Sequence, residues 1–286
     1  MILTRLKLLC EKANKGEAQL SEELVEEFGE LCKTALRKQF TPNEKEFRLR
    51  ISQIGKSLRQ QQCELLGLPK DGEEPYNTVI KFLYGDVAEA IIMTLMKAAG
   101  VNIENEQKEV TLNIGGIDLA GTYDVRIGGK IYDIKTASPY AYENKFARGF
   151  ENVDATDTFG YVTQLYLYAE ADKAHVGGWI VLNKVTGELQ VVEPPIADNR
   201  FKSKHLQLAE ANIKRLLATT SINDIDKTIP KVAETYYKKP TGKWVLDSDY
   251  TYFPYKQVLW GDKVQHKENK KSSAKIKPKN YYVMEK

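Results

Sequence analysis

Apolar residues recur at helical spacing in the first quarter of the chain. Helices are expected up to about residue 68, because hydrophobic positions there repeat every three or four residues, as in Leu24, Phe28, Leu31 and Ala35. Ser21 followed by two glutamates is a helix-start signal. Residues 68–77 contain two prolines and a glycine, which predicts a loop. Residues 1–75 are therefore expected to form a helical region.

The clearest helical pattern runs from Thr78 to Ala99 and ends at Gly100. Its apolar surface is broad, and Glu89 lies inside the apolar run. Burying an ionised carboxylate without a partner costs several kcal/mol. The pattern alone leaves two interpretations of Glu89 open: a solvated position on the helix, or a carboxylate that belongs to a site.

The middle of the chain alternates like β-strands. Two Gly-Gly pairs, at 115–116 and 128–129, separate three runs rich in β-branched and aromatic residues: 108–114, 117–127 and 130–136. A two-residue Gly-Gly link is a strong hairpin signal, because primed turns need positive φ. The three runs are therefore expected to form an antiparallel meander.

The second Gly-Gly turn also predicts a register. Ile127 would face Lys130, Val125 would face Tyr132, and Asp124 would face Asp133. Since side chains alternate along a strand, Asp124, Asp133 and Lys135 should share one face. The other face should hold the apolar and aromatic residues Tyr123, Val125, Tyr132 and Ile134.

Further elements complete an α/β pattern. A helix is expected over 158–171, with Tyr161, Gln164 and Tyr168 on one face. Strands are expected at 174–183 and 189–192, and a helix at 200–218. The order predicts an α/β fold with a mixed central sheet flanked by helices, and helical additions at both ends.

This pattern divides the chain into four regions of one globular domain. After the helical residues 1–75 come a core at 76–196, a C-terminal helical region at 197–260 and a tail at 261–286. The tail has eight lysines against three acids and is expected to be flexible.

Composition narrows the class of protein. The 286 residues are 42% hydrophobic and 28% charged, as in ordinary globular proteins. No apolar run reaches the length of a membrane span, and the first residues are amphipathic rather than signal-like. Three widely spaced cysteines favour a reducing, intracellular and cytoplasmic setting. A net charge of +3 permits nucleic-acid binding without arguing for it.

Two opposed carboxylates beside a lysine suit metal-assisted hydrolysis. Like charges that face each other across strands are destabilising, so Asp124 and Asp133 predict a bound cation. Mg²⁺ prefers oxygen ligands and is held by a few carboxylates plus substrate phosphates. Lys135 could orient or deprotonate a water, or neutralise charge in the transition state. A solvated strand face without function is the alternative interpretation of the same residues.

Four motifs carry a family resemblance. Gly85 to Glu89 resembles a helical GxxxE element, and Gly121 to Asp124 resembles GxxD. Asp133 to Lys135 resembles (D/E)xK, and Gln164 to Tyr168 resembles QxxxY. In this order the motifs resemble those of the PD-(D/E)xK nuclease superfamily, in the branch of RecB-type domains, lambda-type exonucleases and CRISPR adaptation nucleases. The resemblance spans roughly residues 48 to 260 and implies a restriction-endonuclease-like core.

The resemblance implies a site. Glu89, Asp124, Asp133 and the backbone carbonyl of Ile134 would bind Mg²⁺, with Mn²⁺ as a substitute, and Lys135 would complete the catalytic set. DNA contacts would come from residues on the QxxxY helix, in the N-terminal segment and after the third strand: Gln164, Tyr168, Tyr161, Ser52, Arg59, Lys145 and Arg148. The last two lie among aromatic residues, a mixture that suits stacking on bases and phosphate contact. A helix packing face at Gln164 and Tyr168, and a solvated loop at 140–148, remain the alternatives.

Some members of this branch bind an iron–sulfur cluster through four cysteines. The corresponding positions here are Ser57, Tyr250, Phe253 and Leu259, none of which offers a thiolate. The chain is therefore expected to lack the cluster, and packed aromatics are expected to link its C-terminal part to the N-terminal helices.

The expected function is a Mg²⁺-dependent deoxyribonuclease, an exonuclease by analogy, acting in DNA recombination, repair or degradation. Its expected partners are DNA ends or single strands and a single-strand-annealing or recombination protein, with no membrane. Three alternatives stay open: a catalytically silent nucleic-acid-binding protein of the same fold, a structure-specific endonuclease, and an RNA-processing nuclease.

Overall fold

The computed structural model describes residues 2–41, 47–73, 75–195, 199–270, 275 and 279–284. Its helices, in chain order, are α1 (Ile2–Asn14), α2 (Glu22–Phe40), α3 (Ile51–Ile54), α4 (Leu58–Leu65), α5 (Asn77–Ala98), α6 (Pro139–Ala141), α7 (Phe150–Ala155), α8 (Tyr161–Ala171), α9 (Asn199–Leu217) and α10 (Lys256–Trp260). Within the described part of the chain, no helix combines the length and apolar character that crossing a bilayer requires.

The strands fall into two sheets. Their bounds are β1 (Ile103–Ile114), β2 (Ile117–Ile127), β3 (Lys130–Ala137), β4 (His175–Asn183), β5 (Leu189–Val192), β6 (Lys231–Tyr236), β7 (Lys239–Leu246), β8 (Val264–Glu268) and β9 (Lys279–Val283). A π-helical turn, Tyr142–Phe146, follows α6, and short 3₁₀ turns lie at Ile222–Asp224, Ser248–Tyr250 and Gly261–Lys263.

The chain divides into two compact units. The first unit comprises residues 1–55 and 74–213, and the second comprises 56–73 and 214–286. The predicted boundary after residue 75 does not coincide with these units, since residues 56–73, which include α4, group with the C-terminal part of the chain.

The first unit has the predicted α/β architecture. Its described strands form a mixed sheet in the order β1-β2-β3-β4-β5, where only β3 and β4 run parallel. Helices α1 and α5 pack on one another and on the sheet, and α8 packs against β1, β3 and β4. The predicted mixed central sheet with flanking helices, including helices at the N-terminal end, is therefore confirmed.

One apolar cluster joins the sheet to the first helices. Val125, Tyr132 and Ile134 are almost fully buried there against α1 and α5, whose contributions are Ile2, Leu6, Ile92, Met93 and Met96. This confirms the predicted apolar face of the β2–β3 hairpin for three of its four residues. Tyr123 is the exception, because its ring packs edge-on against Tyr168 of α8.

The second unit is built differently from the sequence prediction. Its described strands form an antiparallel sheet in the order β6-β7-β9-β8. The expected helical region at 197–260 is therefore wrong for 231–246, where β6 and β7 form a hairpin. The expected flexible tail is wrong for β8 and β9, which pair with each other. Its residues 271–274, 276–278, 285 and 286 lie outside the described residues.

A cluster of apolar and aromatic residues forms the core of the second unit. Phe253 and Leu259, at two of the positions compared above with cluster cysteines, are buried in it with Cys63. Tyr250, at a third, packs edge-on against Phe253 and Trp260. Burial raises the pKa of the Cys63 thiol to about 12. These side chains do not fit an iron–sulfur cluster, since the ligand positions carry rings and an isobutyl group, and the one nearby thiol is held neutral.

Candidate active site

The β2–β3 hairpin has the predicted register. Ile127 pairs with Lys130, Arg126 with Ile131, and Val125 with Tyr132. The turn glycines Gly128 and Gly129 have φ values of 57° and 72°. Both values are left-handed, which is why a primed turn favours glycine at these positions.

The backbone pairing of β2 with β3 ends at Val125 and Tyr132. At the next residue, Asp124, a side-chain hydrogen bond takes the place of a backbone one. Asp124 Oδ2 accepts a 2.7 Å hydrogen bond from the backbone N–H of Ile134. On its other side, the β1–β2 ladder skips the pair Gln107–Asp124, and Gln107 has a φ of 43°. This irregularity explains why Tyr123 and Val125 pack in different places although they are two residues apart.

Asp133 and Lys135 form a close ion pair. Lys135 Nζ lies 2.7 Å from Asp133 Oδ2 and donates a 2.8 Å hydrogen bond to Oδ1. The Asp133 side chain is only 5% exposed, so its charge is poorly solvated. Gln164 of α8 adds a weak contact, with 3.4 Å between its Nε2 and Asp133 Oδ1.

Glu89 joins this group from α5. Gln107 Nε2 donates to Glu89 Oε1, which ties the helix to the irregular residue of β1. Burial and then the charge of Asp133 raise the pKa of Glu89 to about 7. Of the two interpretations left open by the sequence, the position beside the other carboxylates is the observed one.

The three carboxylates perturb one another. Burial, followed by the charges of Asp133 and Glu89, raises the pKa of Asp124 well above its ordinary value. Burial also raises the pKa of Asp133, against the opposing effect of Lys135. For Lys135, burial acts to lower the pKa, and the charges of Asp133 and Asp124 outweigh it, so that the pKa is raised. The arrangement is a cluster of acids whose repulsion is only partly neutralised by one lysine.

Helix α8 brings aromatic and cationic side chains to the same place. The ring of Tyr161 lies between two ammonium groups, 5.1 Å from Lys135 Nζ and 4.9 Å from Lys145 Nζ. Asp157 lies before the N-terminus of this helix, where its Oδ2 accepts the N–H of Val162 at 2.8 Å, and its Oδ1 lies 3.8 Å from Lys145 Nζ. Burial lowers the pKa of Lys145. Lys145 therefore lies beside Tyr161 and Asp157, and its contact with DNA stays a prediction.

Two of the four motifs meet through a glycine. A Cβ atom on Gly121 would lie 2.8 Å from the Tyr168 ring and 3.1 Å from Ile51 Cβ, closer than side chains normally approach. Gly121 therefore allows α8 and α3 to pack against β2. Gly85 is different, because a Cβ there would have no atom within 4 Å.

The residues predicted to contact DNA differ in their exposure to solvent. Tyr168 is 2% exposed, so it supports the site from within, and direct contact of its ring with DNA is not compatible with this packing. Burial, with the charges of Asp133 and Asp124, raises its pKa to about 12. Ser52 lies in α3, which contacts both α8 and β2. Arg148 is exposed and donates to Asn144.

Arg59 is the predicted contact that falls outside this unit. It belongs to the second unit, where it donates to the Thr228 carbonyl at 2.7 Å and pairs with Asp226. Its guanidinium also lies 5.6 Å from the centre of the Tyr250 ring. These contacts assign Arg59 a structural role in the second unit.

Two residues of the site escaped the sequence analysis. Gln107 offered no signal, because a positive φ at a non-glycine residue is not visible in a sequence. Asp157 offered a weak one, since an aspartate shortly before a helical pattern is a helix-start signal.

The carboxylate oxygens are ligands of the type that a hard divalent cation prefers. Their positions, however, do not yet form a set of metal ligands. Among the described residues, no three His, Cys, Asp or Glu side chains already converge as a ligand set. The acids are instead bonded to the Lys135 ammonium, the Ile134 N–H and the Gln107 amide. Their oxygen donors and raised pKa values fit Mg²⁺, because a cation would relieve the repulsion. Binding would require these acids to exchange protein partners for the metal.

Comparisons with known proteins add little to this geometry. No family model matches the chain, and no curated protein matches it. The solved structure named SSO0001 is 17% identical with a TM-score of 0.38, covering 66% of this chain and 86% of its own. A structure from Eubacterium rectale named "Putative exonuclease" is 14% identical with a TM-score of 0.36, covering 70% of this chain and 86% of its own. Similarity at this level establishes neither a shared family nor an activity.

Proposed function

We propose that the chain is a Mg²⁺-dependent deoxyribonuclease of the PD-(D/E)xK type, and specifically an exonuclease that acts in DNA recombination, repair or degradation. One observation carries the proposal. Glu89 from α5, Asp124 from β2 and Asp133 with Lys135 from β3 lie close enough to shift one another's pKa. They are also the acids and the lysine of three motifs that resemble this superfamily.

The chemistry of the site supports phosphodiester hydrolysis. Asp124, Asp133, Glu89 and the Ile134 carbonyl would hold Mg²⁺, which polarises a phosphoryl oxygen and lowers the pKa of a bound water. The protein's own contribution is a preorganised set of charges around the buried Asp133. The Asp124 side chain is fixed by the Ile134 N–H, and this bond couples the two strands that carry the acids.

Lys135 would act as a fixed cation. Its raised pKa keeps Nζ protonated near neutral pH, which disfavours the role of general base. A protonated amine at this position would stabilise negative charge that develops on the phosphate in the transition state. Tyr161 beside Lys135 and Lys145 offers a ring and a second cation for the substrate.

A second candidate is a non-catalytic DNA-binding protein. It is favoured by the partners that the acids already have, since a lysine, a backbone N–H and an amide each bond one of their oxygens without a metal, although Asp133 Oδ2 is buried and accepts no hydrogen bond from the described residues. It is disfavoured by the electrostatics, because a retired site has no reason to retain three mutually repelling carboxylates.

The proposal is tested with end-labelled linear DNA, the same DNA as a closed circle, and a labelled RNA of equal length. Each is incubated with wild type and Lys135→Met in Mg²⁺, in Mn²⁺ and in chelator. The matched control is Lys130→Met, which removes a 47% exposed lysine from the start of the same strand.

The expected result is cleavage of linear DNA in either metal and none in chelator. Lys135→Met should lose at least about 100-fold in rate, the scale of removing one charge-stabilising group, and Lys130→Met should retain the activity. Equal cleavage of circles would support an endonuclease instead, and preferred cleavage of RNA an RNA-processing enzyme. Inert wild type in both metals, with DNA binding intact, would support the non-catalytic candidate.

A further inference from the structure

The two units carry opposite charge. Residues 56–73 and 214–286 contain 19 lysines and arginines against 11 aspartates and glutamates, whereas the first unit contains 23 against 28. The chain's overall basic balance therefore comes entirely from the second unit. A unit that carries acids for a metal and a net negative charge is poorly suited to hold a polyanion by itself. The second unit has the charge that suits this task.

The β6–β7 hairpin presents part of this charge. Residues 231–246 contain four lysines and a single acid, Glu234. Glu234 is buried and accepts hydrogen bonds from Thr241 at 2.6 Å and from Tyr282 at 2.7 Å. These bonds satisfy the acid and hold the hairpin against β9. The four lysines are exposed, and Lys243 shares the side of Glu234, with its Nζ 5.2 Å from the centre of the Tyr282 ring.

The hairpin also exposes aromatic rings. Tyr237 is 78% exposed and Trp244 is 46% exposed. Lys231 Nζ lies 5.7 Å from the centre of the Trp244 ring. The Tyr237 ring touches the edge of Tyr236, with 4.7 Å between ring centres. Large exposed rings next to ammonium groups are the pattern that binds unpaired bases and their phosphates.

The tip of the hairpin is strained. The pairs Thr235–Pro240 and Tyr236–Lys239 leave a two-residue turn. Tyr237 and Lys238 occupy this turn with φ values of 47° and 62°. Such turns favour Asn-Gly, because residues with a Cβ rarely adopt left-handed φ. A tyrosine and a lysine held in this strained left-handed conformation indicate a function at the tip.

We propose that the β6–β7 hairpin binds single-stranded DNA, with Tyr237 and Trp244 stacking on bases and its lysines contacting phosphates. Single strands are favoured over duplex because ring stacking needs bases that are not already stacked and paired. The choice of DNA rests on the proposed nuclease function. The choice of an unpaired polyanionic strand rests on the hairpin alone.

The test measures binding without cleavage. A fluorescent 20-nucleotide oligo-dT, alone or annealed to oligo-dA as a duplex, is titrated with the full-length protein in chelator, and anisotropy gives Kd at several salt concentrations. Trp244→Ala removes one ring, and Tyr237→Asn with Lys238→Gly replaces the tip by a turn of favoured sequence. Tyr252→Ala is the matched control, because Tyr252 is an 83% exposed aromatic of the same unit outside the hairpin.

The tip variant separates folding from binding. An Asn-Gly turn should leave the hairpin as stable or more stable, yet Kd should rise by about 5- to 100-fold, as for the loss of one stacked base. Trp244→Ala should weaken binding on the same scale, Trp244→Phe should restore part of it, and Tyr252→Ala should leave Kd unchanged. Each lost lysine contact should reduce the salt dependence of binding.

Two results would overturn the inference: unchanged Kd in both hairpin variants, or weaker duplex binding with unchanged single-strand binding. The results also distinguish a failure of this inference from a failure of the proposed nuclease function. If wild type cleaves no DNA in Mg²⁺ or Mn²⁺ and the hairpin variants still lose single-strand affinity in chelator, the hairpin proposal stands without the nuclease. If wild type cleaves and the variants bind normally, the nuclease stands without the hairpin.

Discussion

Glu89 provides the sharpest test of the electrostatics at the site. The substitution Glu89→Gln removes a charge and keeps both the size of the side chain and an oxygen that accepts from Gln107. In the metal-free wild type, burial and Asp133 raise the pKa of Glu89 from 4.5 to about 7. Between about pH 4.5 and 7 the folded protein therefore retains a proton that the unfolded chain has released. The free energy of unfolding should decrease as the pH rises through this window, and most of the loss should be complete above pH 7.

The magnitude follows from the shift. One pKa unit corresponds to about 1.4 kcal/mol, so the full shift would be worth about 3.5 kcal/mol. Partial solvation and coupling to the other acids make this an upper limit, and about 1–3 kcal/mol is expected. Glu89→Gln should therefore stabilise the metal-free protein by this amount at pH 8 and by little at pH 5. The stability of the variant should depend less steeply on pH.

The assay is urea unfolding in chelator from pH 5 to 8.5. In a background with Trp244→Phe and Trp260→Phe, Trp179 is the remaining tryptophan and reports on the first unit, where it is fully buried. Glu109→Gln serves as control, since Glu109 is exposed on β1. Parallel stability profiles for wild type and Glu89→Gln would refute the claim that Glu89 is buried beside other carboxylates.

Three further substitutions test the packing around the site by denaturant unfolding. Gly121→Ala places a Cβ 2.8 Å from the Tyr168 ring and should cost about 1–3 kcal/mol, whereas an unchanged stability would show that α8 and β2 are further apart. Lys135→Met leaves Asp133 buried without a cation and should cost about 2–4 kcal/mol at pH 8, of which Asp133→Asn in the same chain should recover part. Simple additivity of the two changes would contradict a direct ion pair. Asp157→Ala removes the acceptor for the N–H of Phe159, before α8, and for the N–H of Val162, in its first turn, and should cost about 1 kcal/mol, and no cost would exclude this role.

The sequence predicts the site better where glycines set the geometry. Gly128 and Gly129 define a turn, and the pairs from Val125–Tyr132 to Ile127–Lys130 follow directly from it. The alternation rule then fails at Tyr123, because the positive φ at Gln107 interrupts the β1–β2 ladder. Glu89 is ambiguous in the sequence, since a periodic pattern gives the face of a helix without showing which strand it packs against.

The C-terminal part is predicted poorly for a related physical reason. The β6–β7 turn lacks glycine and asparagine, so a hairpin there has no local signal, and its strained tip is stabilised by the surrounding sheet. The grouping of residues 56–73 with the C-terminal part depends on contacts between residues distant in sequence, such as the hydrogen bond from the Lys256 N–H to Asp71. Local patterns carry no information about such pairing.

The most direct test of the proposed function is the rate of phosphodiester cleavage in excess protein, on a single end-labelled DNA strand, across a Mg²⁺ titration. Wild type is compared with Asp133→Asn and with Asp118→Asn, which changes an exposed aspartate on β2. We predict metal-dependent cleavage by wild type and Asp118→Asn, and a rate at least about 100-fold lower for Asp133→Asn. Equal cleavage by all three proteins would place the activity elsewhere and contradict the assignment of this site.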